Sequence, residues 1–480
     1  MLNYIWLGLI GLAVVMGGIH GNIGDVGQAG LDRAIYAIYP TATTLLAVMV
    51  LWLGLMRLAD KAGLVSRLGI ALKPILTWLF PEVPPDHPAM GAIVMNMAAN
   101  ILGLNNAATP LGLRAMNELE KLNQRPGVAT NAMCMLLAIN TSSITLIPIT
   151  VIALLTAAGS RNPTVIIGTS LAATAVAHAF AIAACKLLER SPWYRLPPIA
   201  PERAAVLQPK NAIHADAGIQ GRQVEEAATH ADESLPWVPG SRWILALAAG
   251  IFLGTLLGLA FPELLNFIRA HLSPLFRSWG WAYPAAIVPP PGAPAPEFFL
   301  LRLVRALSVM AIPWFIFFFP LYAALRRIPV YEEFVEGGKE AFQVILRILP
   351  YIVGMLAAVG MFSTAGGLDL ITAIFSPITN LVHFPAQLVP LAVLRPFSTS
   401  ASQGLLIDLF KTHGPDSLTA LTAGTFYGCS ETTFYVIAVY FGSVGIRKTR
   451  HAIPAGLVAD VVGPIASVII CRLMFPHAVG

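Results

Sequence analysis

The sequence predicts an all-α polytopic membrane protein with two inverted repeats, each holding a re-entrant hairpin and a broken helix. Three observations carry that expectation. Apolar residues make up 56% of the chain and charged residues only 11%, against roughly 25% charged in soluble domains. Several apolar runs reach the roughly 20 residues that cross a bilayer as helix. The order of parts in the first 190 residues returns after a polar interruption.

The first apolar run, residues 4–16, has no Lys or Arg before it and no small-x-small site after it. It reads as a retained helix and not a secretory signal. Next, "GDVGQAGLDRAIYAI" leads into an apolar helix at about residues 43–56; "EEFVEGGKEAFQVIL" leads into one at about 349–361. "LADKAGL" and "FSTAGGL" follow, each before a segment holding one proline, Pro74 or Pro377. A Gly- and polar-rich stretch comes next, "NMAANILGLNNAATPLGL" against "LAVLRPFSTSASQGLL". Then an apolar helix is interrupted by hydroxyls, "AINTSSITLIPITVIAL" against "YGCSETTFYVIAVYFG", and a last apolar helix closes each half. Such internal similarity is the mark of repeated architecture.

The chain therefore divides into a first repeat (1–190), a polar linker (191–241), a connecting helix with a Pro-rich loop (242–304) and a second repeat (305–480). Lysine and arginine set the orientation. Arg57, Lys61, Arg67 and Lys73 lie before the Asn-rich segment, and Arg114, Lys121 and Arg125 after it. Both clusters are expected on the cytoplasmic side, so residues 89–116 enter and leave by one face. In the second half the positives shift, to Arg326 and Arg327 and to Arg447, Lys448 and Arg450. With about nine spanning helices the second half runs upside down relative to the first, as in many secondary transporters. The N-terminus is expected in the cytoplasm.

Non-helical backbone at membrane depth must be buried in protein or face a watery cavity. Each half offers two candidate breaks. Asn105, Asn106, Thr109 and Pro110 stand against Arg395, Pro396, Ser398, Thr399 and Ser400. Asn140, Thr141, Ser142, Ser143 and Pro148 stand against Ser430, Glu431, Thr432 and Thr433. Pro110 is expected to stop its helix. Together the amides and hydroxyls suit a small polar or anionic solute. Glu431, an acid in an apolar span, is the candidate coupling residue with Arg395. It could take a proton, hold a cation, pair with Arg395 or cap a half-helix. Asp460 and His178 also sit in apolar runs, His178 as a bonded core histidine, while Asp369 has the look of a helix cap. Residues 331–340 are charged and amphipathic, as at an interface or on a solvated face.

Cys134, Cys185, Cys429 and Cys471 lack metal-ligand spacing and read as buried thiols. No metal or cofactor is expected. A net charge of +5 reports mainly loop residues, so nucleic acid is not an expected partner. Neither a serine–histidine nor a paired-aspartate arrangement at helical spacing supports an enzyme. The partners are the lipid bilayer and a solute of unnamed identity, with self-association left open.

The motifs carry a resemblance. "YIWLGL", "LWLGLMRLADKAGL", "NMAANILGLNNAATPLGL" and "INTSSITLIPITVIAL" resemble spore maturation protein A; "YEEFVEGGKEAF", "RPFSTSAS", "HGPDS" and "ETTFYVIAVYFGSVGIRKTR" resemble spore maturation protein B. The chain is similar to a fusion of the two, within the nucleoside recognition (gate) domain superfamily. The resemblance implies a bacterial inner-membrane protein tied to spore maturation, with two gate-domain repeats. It also implies Arg-Pro-x-Ser-Gly-Ser in the second half, where this chain has Thr399 in place of the glycine. A transporter moving its solute by alternating access is the expected function. A non-transporting scaffold for envelope or spore components, docking through the linker, is the alternative.

Overall fold

A computed structural model describes residues 2–103, 105–196, 237–261, 271, 299–381 and 384–475. Most of the polar linker and the Pro-rich run at 289–294 lie outside the described residues. What is described is helical throughout, apart from an isolated β-bridge between Val128 and Lys448.

The first half runs α1 (Leu2–His20), α2 (Ile23–Tyr36), a π-helical stretch (Ala37–Ala42), α3 (Thr43–Lys61), α4 (Leu64–Leu79), α5 (Pro88–Leu102), α6 (Asn105–Lys121), α7 (Asn131–Thr141), α8 (Ile149–Ala157) and α9 (Ile166–Glu189). A single helix α10 (Ser241–Ala260) follows. The second half runs α11 (Phe299–Leu325), α12 (Val330–Thr364), α13 (Gly367–Leu381), α14 (Val389–Leu394), α15 (Thr399–His413), α16 (Leu418–Gly428), α17 (Thr433–Ser443) and α18 (Ala452–Met474).

Local chemistry sets the helix ends. Before α4 and α13 the chain turns through Gly63 (φ 77°) and Gly366 (φ 85°), one glycine from each of "LADKAGL" and "FSTAGGL". Both need the left-handed region that glycine adopts without steric cost. Thr130, Ser398 and Ser417 cap α7, α15 and α16, their hydroxyls accepting from Met133 N, Ala401 N and Ala420 N. Each cap satisfies one of the donors a helix start leaves open. Asp369 lies within the first turn of α13, not at its cap position.

Among the described residues, five helical segments are long and apolar enough to cross a membrane: Ile23–Lys61, Pro163–Glu189, Ser241–Ala260, Arg302–Leu325 and Ala452–Met474. A sixth forms if α12, bent by 41° between Leu346 and Ile348, counts as one span. This fits a multi-pass membrane protein. The figure is below the nine or so expected, and the reason is physical. At 1.5 Å per residue, the 11 residues of α7 or α16 and the 9 of α8 are each far too short to span alone.

α7 and α16 form the centre. Every residue from Ala132 to Thr141 is buried, as is every residue from Thr419 to Tyr427. Around them, contacts between halves recur with the roles exchanged. α3 packs on α12 and α9 along α18; α7 touches α18 as α16 touches α9; α7 touches α17 as α16 touches α8; α1 lies on α12 as α11 lies on α3. The loops are exchanged likewise. At one end, Gly127 O accepts from Arg447 N and Lys448 N, and Arg450 reaches Ala129 O and Asn131. At another, Asp416 accepts from the Ser160 hydroxyl at 2.6 Å and from Arg161 N at 3.1 Å.

The α3–α12 crossing is closest at Gly54 and Gly337. A Cβ at Gly337 would stand 2.6 Å from Leu53 O and 2.9 Å from Gly54 Cα. Small residues permit such backbone approach in membranes. Arg57 then bridges the pair, donating to Glu333 at 2.7 Å and Glu340 at 3.0 Å. Gly337→Val is expected to force the helices apart at a cost of about 1–3 kcal/mol. Thermal unfolding of purified protein should show a lowered Tm, whereas Gly8→Val, where a Cβ meets nothing within 4 Å, should leave it unchanged.

Candidate functional site

The break between α5 and α6 falls at Gly103, whose φ of 74° ends α5. Asn105 and Asn106 open α6, and Pro110 lies inside it, so Pro110 does not stop the helix as expected. As the sixth residue of α6, Pro110 lies past the open N–H groups of the helix start, so it removes an N–H that would otherwise bond Asn106 O. The side chains of Asn105 and Asn106 lie outside what the structure describes. The segment's other glycine, Gly112, makes room for an aromatic: a Cβ there would strike the Tyr440 hydroxyl. In the second half α14 ends at Leu394 and α15 begins at Thr399, leaving residues 395–398 as the break. The broken helices part where the hydroxyl clusters predict, at 142–148 between α7 and α8 and at 429–432 between α16 and α17.

The four breaks meet at one cavity of about 250 Å³. Its wall takes Asn100 and Thr109 from α5 and α6, Asn140 and Thr145 from the α7–α8 break, Arg395 and Thr399 from the α14–α15 break, and Tyr427, Glu431 and Tyr440 from α16, α17 and the segment between them. A larger cavity, about 530 Å³, lies open among residues 158–165 and 414–417. Its one carboxylate, Asp416, is engaged by Ser160 and Arg161. The chemistry therefore points to the smaller one.

Of the expected residues, Thr109, Asn140, Pro148, Arg395, Thr399 and Glu431 line this cavity. Apart from Asn105 and Asn106, whose side chains are not described, the others do not, and most have structural work. Ser142 bonds to His178 Nδ1 at 3.0 Å, so His178 is the bonded core histidine expected. Thr141 O accepts from Glu431 N at 2.9 Å and ties the two breaks together. Ser398 caps α15, and Thr433 donates to Asp460 at 2.5 Å. Ser143 is buried and Ser400 half-buried off the cavity, while the buried Ser430 hydroxyl has no partner.

Two different devices hold the breaks. In the first half it is Asn140. Its Nδ2 donates to Asn96 Oδ1 at 3.0 Å and Leu136 O at 2.8 Å; its Oδ1 accepts from Asn100 at 2.9 Å and Tyr440 at 3.3 Å. All four bonds an amide can make are made. In the second half it is Arg395, 3% exposed. Its guanidinium donates to Tyr427 O at 3.1 Å and to Ser430 O, approaches Thr432 Oγ1 at 3.5 Å, and stacks 4.2 Å from the Tyr427 ring centroid. Tyr427 O is one of the loose C-terminal carbonyls of α16, at the negative end of its dipole, and Ser430 O lies in the break that follows.

Arg395 and Glu431 do not form the ion pair the sequence left open. The guanidinium is spent on carbonyls, and the half-buried Glu431 carboxylate has no bonded partner among the described residues. Thr399, in the place of the family glycine, puts its hydroxyl 2.5 Å from that of Thr432, so the added side chain closes a bond across the break.

Asn96, Asn100, Thr145, Tyr427 and Tyr440 were not expected here. Asn96 and Asn100 sit at i and i+4 on α5, and that spacing is a legible signal. Tyr440 gives none. The four cysteines are free and buried, as expected. No cluster of potential metal ligands occurs among the described residues.

Residues 42–158 and 345–447 match the gate family, described as nucleoside recognition. Spore maturation protein B of Bacillus subtilis (strain 168) is 42% identical over 178 residues, 37% of this chain and 100% of that protein. Spore maturation protein A of the same organism is 43% identical over 195 residues, 41% of this chain and 97% of that protein. Each covers a different part of the chain. No solved structure matches.

Asn140→Leu would orphan Asn96 Oδ1 and Asn100 Nδ2, each at about 1–3 kcal/mol, and take one bond from the Tyr440 hydroxyl. Arg395→Lys keeps the charge but not the fork that joins two carbonyls. Thermal unfolding in detergent is expected to show a lowered Tm for both. An unchanged Tm in either would mean that the break is held by other contacts.

Proposed function

Because this chain belongs to the family of spore maturation proteins A and B, we propose that it is a bacterial inner-membrane transporter that moves a small polar or anionic solute. The two gate-type halves act as inverted repeats around a shared site. Each carries a hairpin that enters and leaves by one face, α5–α6 and α14–α15. Alternating access comes from one half rocking against the other. The observation that carries the reading is the meeting of all four breaks at one polar cavity. A break in a membrane helix is tolerated where it lines such a cavity, and the site of inverted-repeat transporters lies at the repeat interface.

Other features support it. The exchange of contacts between halves is what a pseudo-two-fold axis produces. α6, α8, α15 and α17 all begin at the breaks. Their N-terminal ends carry the positive pole of the helix dipole, which favours an anionic or acceptor-rich solute. The volume matches roughly eight waters at ~30 Å³ each, so the solute is small. Glu431, on the wall without a bonded partner among the described residues, would sense or couple to it. The family description makes nucleosides one class to try.

The test uses the pairing at Asp416. Ser160→Cys with Asp416→Cys should cross-link the loops after α8 and α15. In proteoliposomes loaded with a panel of labelled nucleosides and small carboxylates, the intact chain is expected to move at least one. Oxidation of the double-cysteine protein should stop that flux and a reductant restore it. A scaffold would move none, and its assembly role would survive the cross-link.

A further inference from the structure

Asp460 is the buried acid that the cavity does not use. It sits in α18 with 6% of its surface exposed. One oxygen, Oδ2, accepts from Thr433 Oγ1 at 2.5 Å, and Thr433 is the first residue of α17, next to the break. The other, Oδ1, is buried and has no partner among the described residues, none of which forms an ion pair with this carboxylate.

The surrounding groups are few. Arg395, at the end of α14, lies within electrostatic reach but is bonded to the carbonyls of α16. Cys429, at the end of α16, is a buried thiol bonded to Phe426 O. α9 contributes His178, tied to Ser142. α17 contributes Tyr435 and Tyr440, preceded by Glu431, and α7 contributes Cys134 near its start. None offers a cationic partner bonded to Asp460.

A carboxylate buried with one hydroxyl and no bonded countercharge is costly. Acids in such a place in a membrane protein belong to ion pathways and proton relays. Two occupants could relieve the cost, a small cation or a proton. A cation needs several oxygens around it, and the site shows one hydroxyl beside a nearby guanidinium. We propose that Asp460 is a proton-binding site whose occupancy is coupled to the α16–α17 break. Uptake is simple: a proton from solvent joins Oδ1, and the carboxylate becomes a neutral acid. Release reverses it. The state of Asp460 reaches the cavity through Thr433, the adjacent Thr432 and its bond to Thr399. The coupling to solute flux rests on the transporter reading; the protonation itself does not.

The test is infrared spectroscopy of the purified full chain in lipid across a pH series. A protonated-carboxyl C=O stretch is expected at neutral pH, absent in Asp460→Asn and retained in Glu431→Gln. Thr433→Val removes the donor that steadies the anion, so the band should persist to more alkaline pH; this variant decides the matter if Asp460→Asn does not fold. No band at neutral pH, a band unchanged in Asp460→Asn, or a titration unmoved by Thr433→Val would overturn the assignment. Absence of flux in proteoliposomes with the band intact would overturn the transporter reading alone.

Discussion

Everything at the centre follows from one constraint: a helix broken away from water must find partners for the backbone groups that the break releases. An orphaned carbonyl or amide in a low-dielectric setting costs kilocalories. Here the partners come from the opposite half. Glu431 N, freed at one break, donates to Thr141 O, freed at the other. Tyr440 of α17 supplies a bond to Asn140 of α7. The breaks are therefore mutual, since neither helix could stay open without the other beside it.

The halves meet the constraint with different chemistry. Asn140 is neutral and saturated. Arg395 is charged and anchored on the carbonyl end of α16. The cavity thus has an amide wall and a charged wall. The two halves therefore bring different groups to the same cavity, an amide from one and the Arg395 guanidinium from the other.

Much of this was legible. Composition fixed the membrane class, and the Gly63 and Gly366 turns fall where the matched motifs put them. The hydroxyl runs located both broken helices. What escaped was of two kinds. One was which residue ends a helix: "GLNNAATPLGL" holds two glycines and a proline, and only backbone geometry shows that Gly103 turns the chain while Pro110 rides inside α6. The other was which polar side chain faces the cavity. Ser142 and Thr433 have the same hydroxyl signature as Thr109 and Thr399, yet they spend it on His178 and Asp460. That choice depends on neighbours 36 and 27 residues away, and one-dimensional pattern holds no record of it.

The burial of α7 and α16 has a further consequence for how the halves relate. A helix buried on every side, in a chain whose other helices are partly exposed, cannot be an independent element of its own half. α7 is covered in part by α17 and α18, and α16 in part by α8 and α9. Pulling the halves apart would bare Asn140, lose its Tyr440 bond and uncover both break ends at once. The backbone pairing of residues 127–129 with 447–448 adds a strap outside the core. Separating the halves would therefore break this strap and the Ser160–Asp416 contact as well as open the centre. In this chain the covalent connection is secondary to that interlock: the two halves complete one core, and the cavity exists only where they meet.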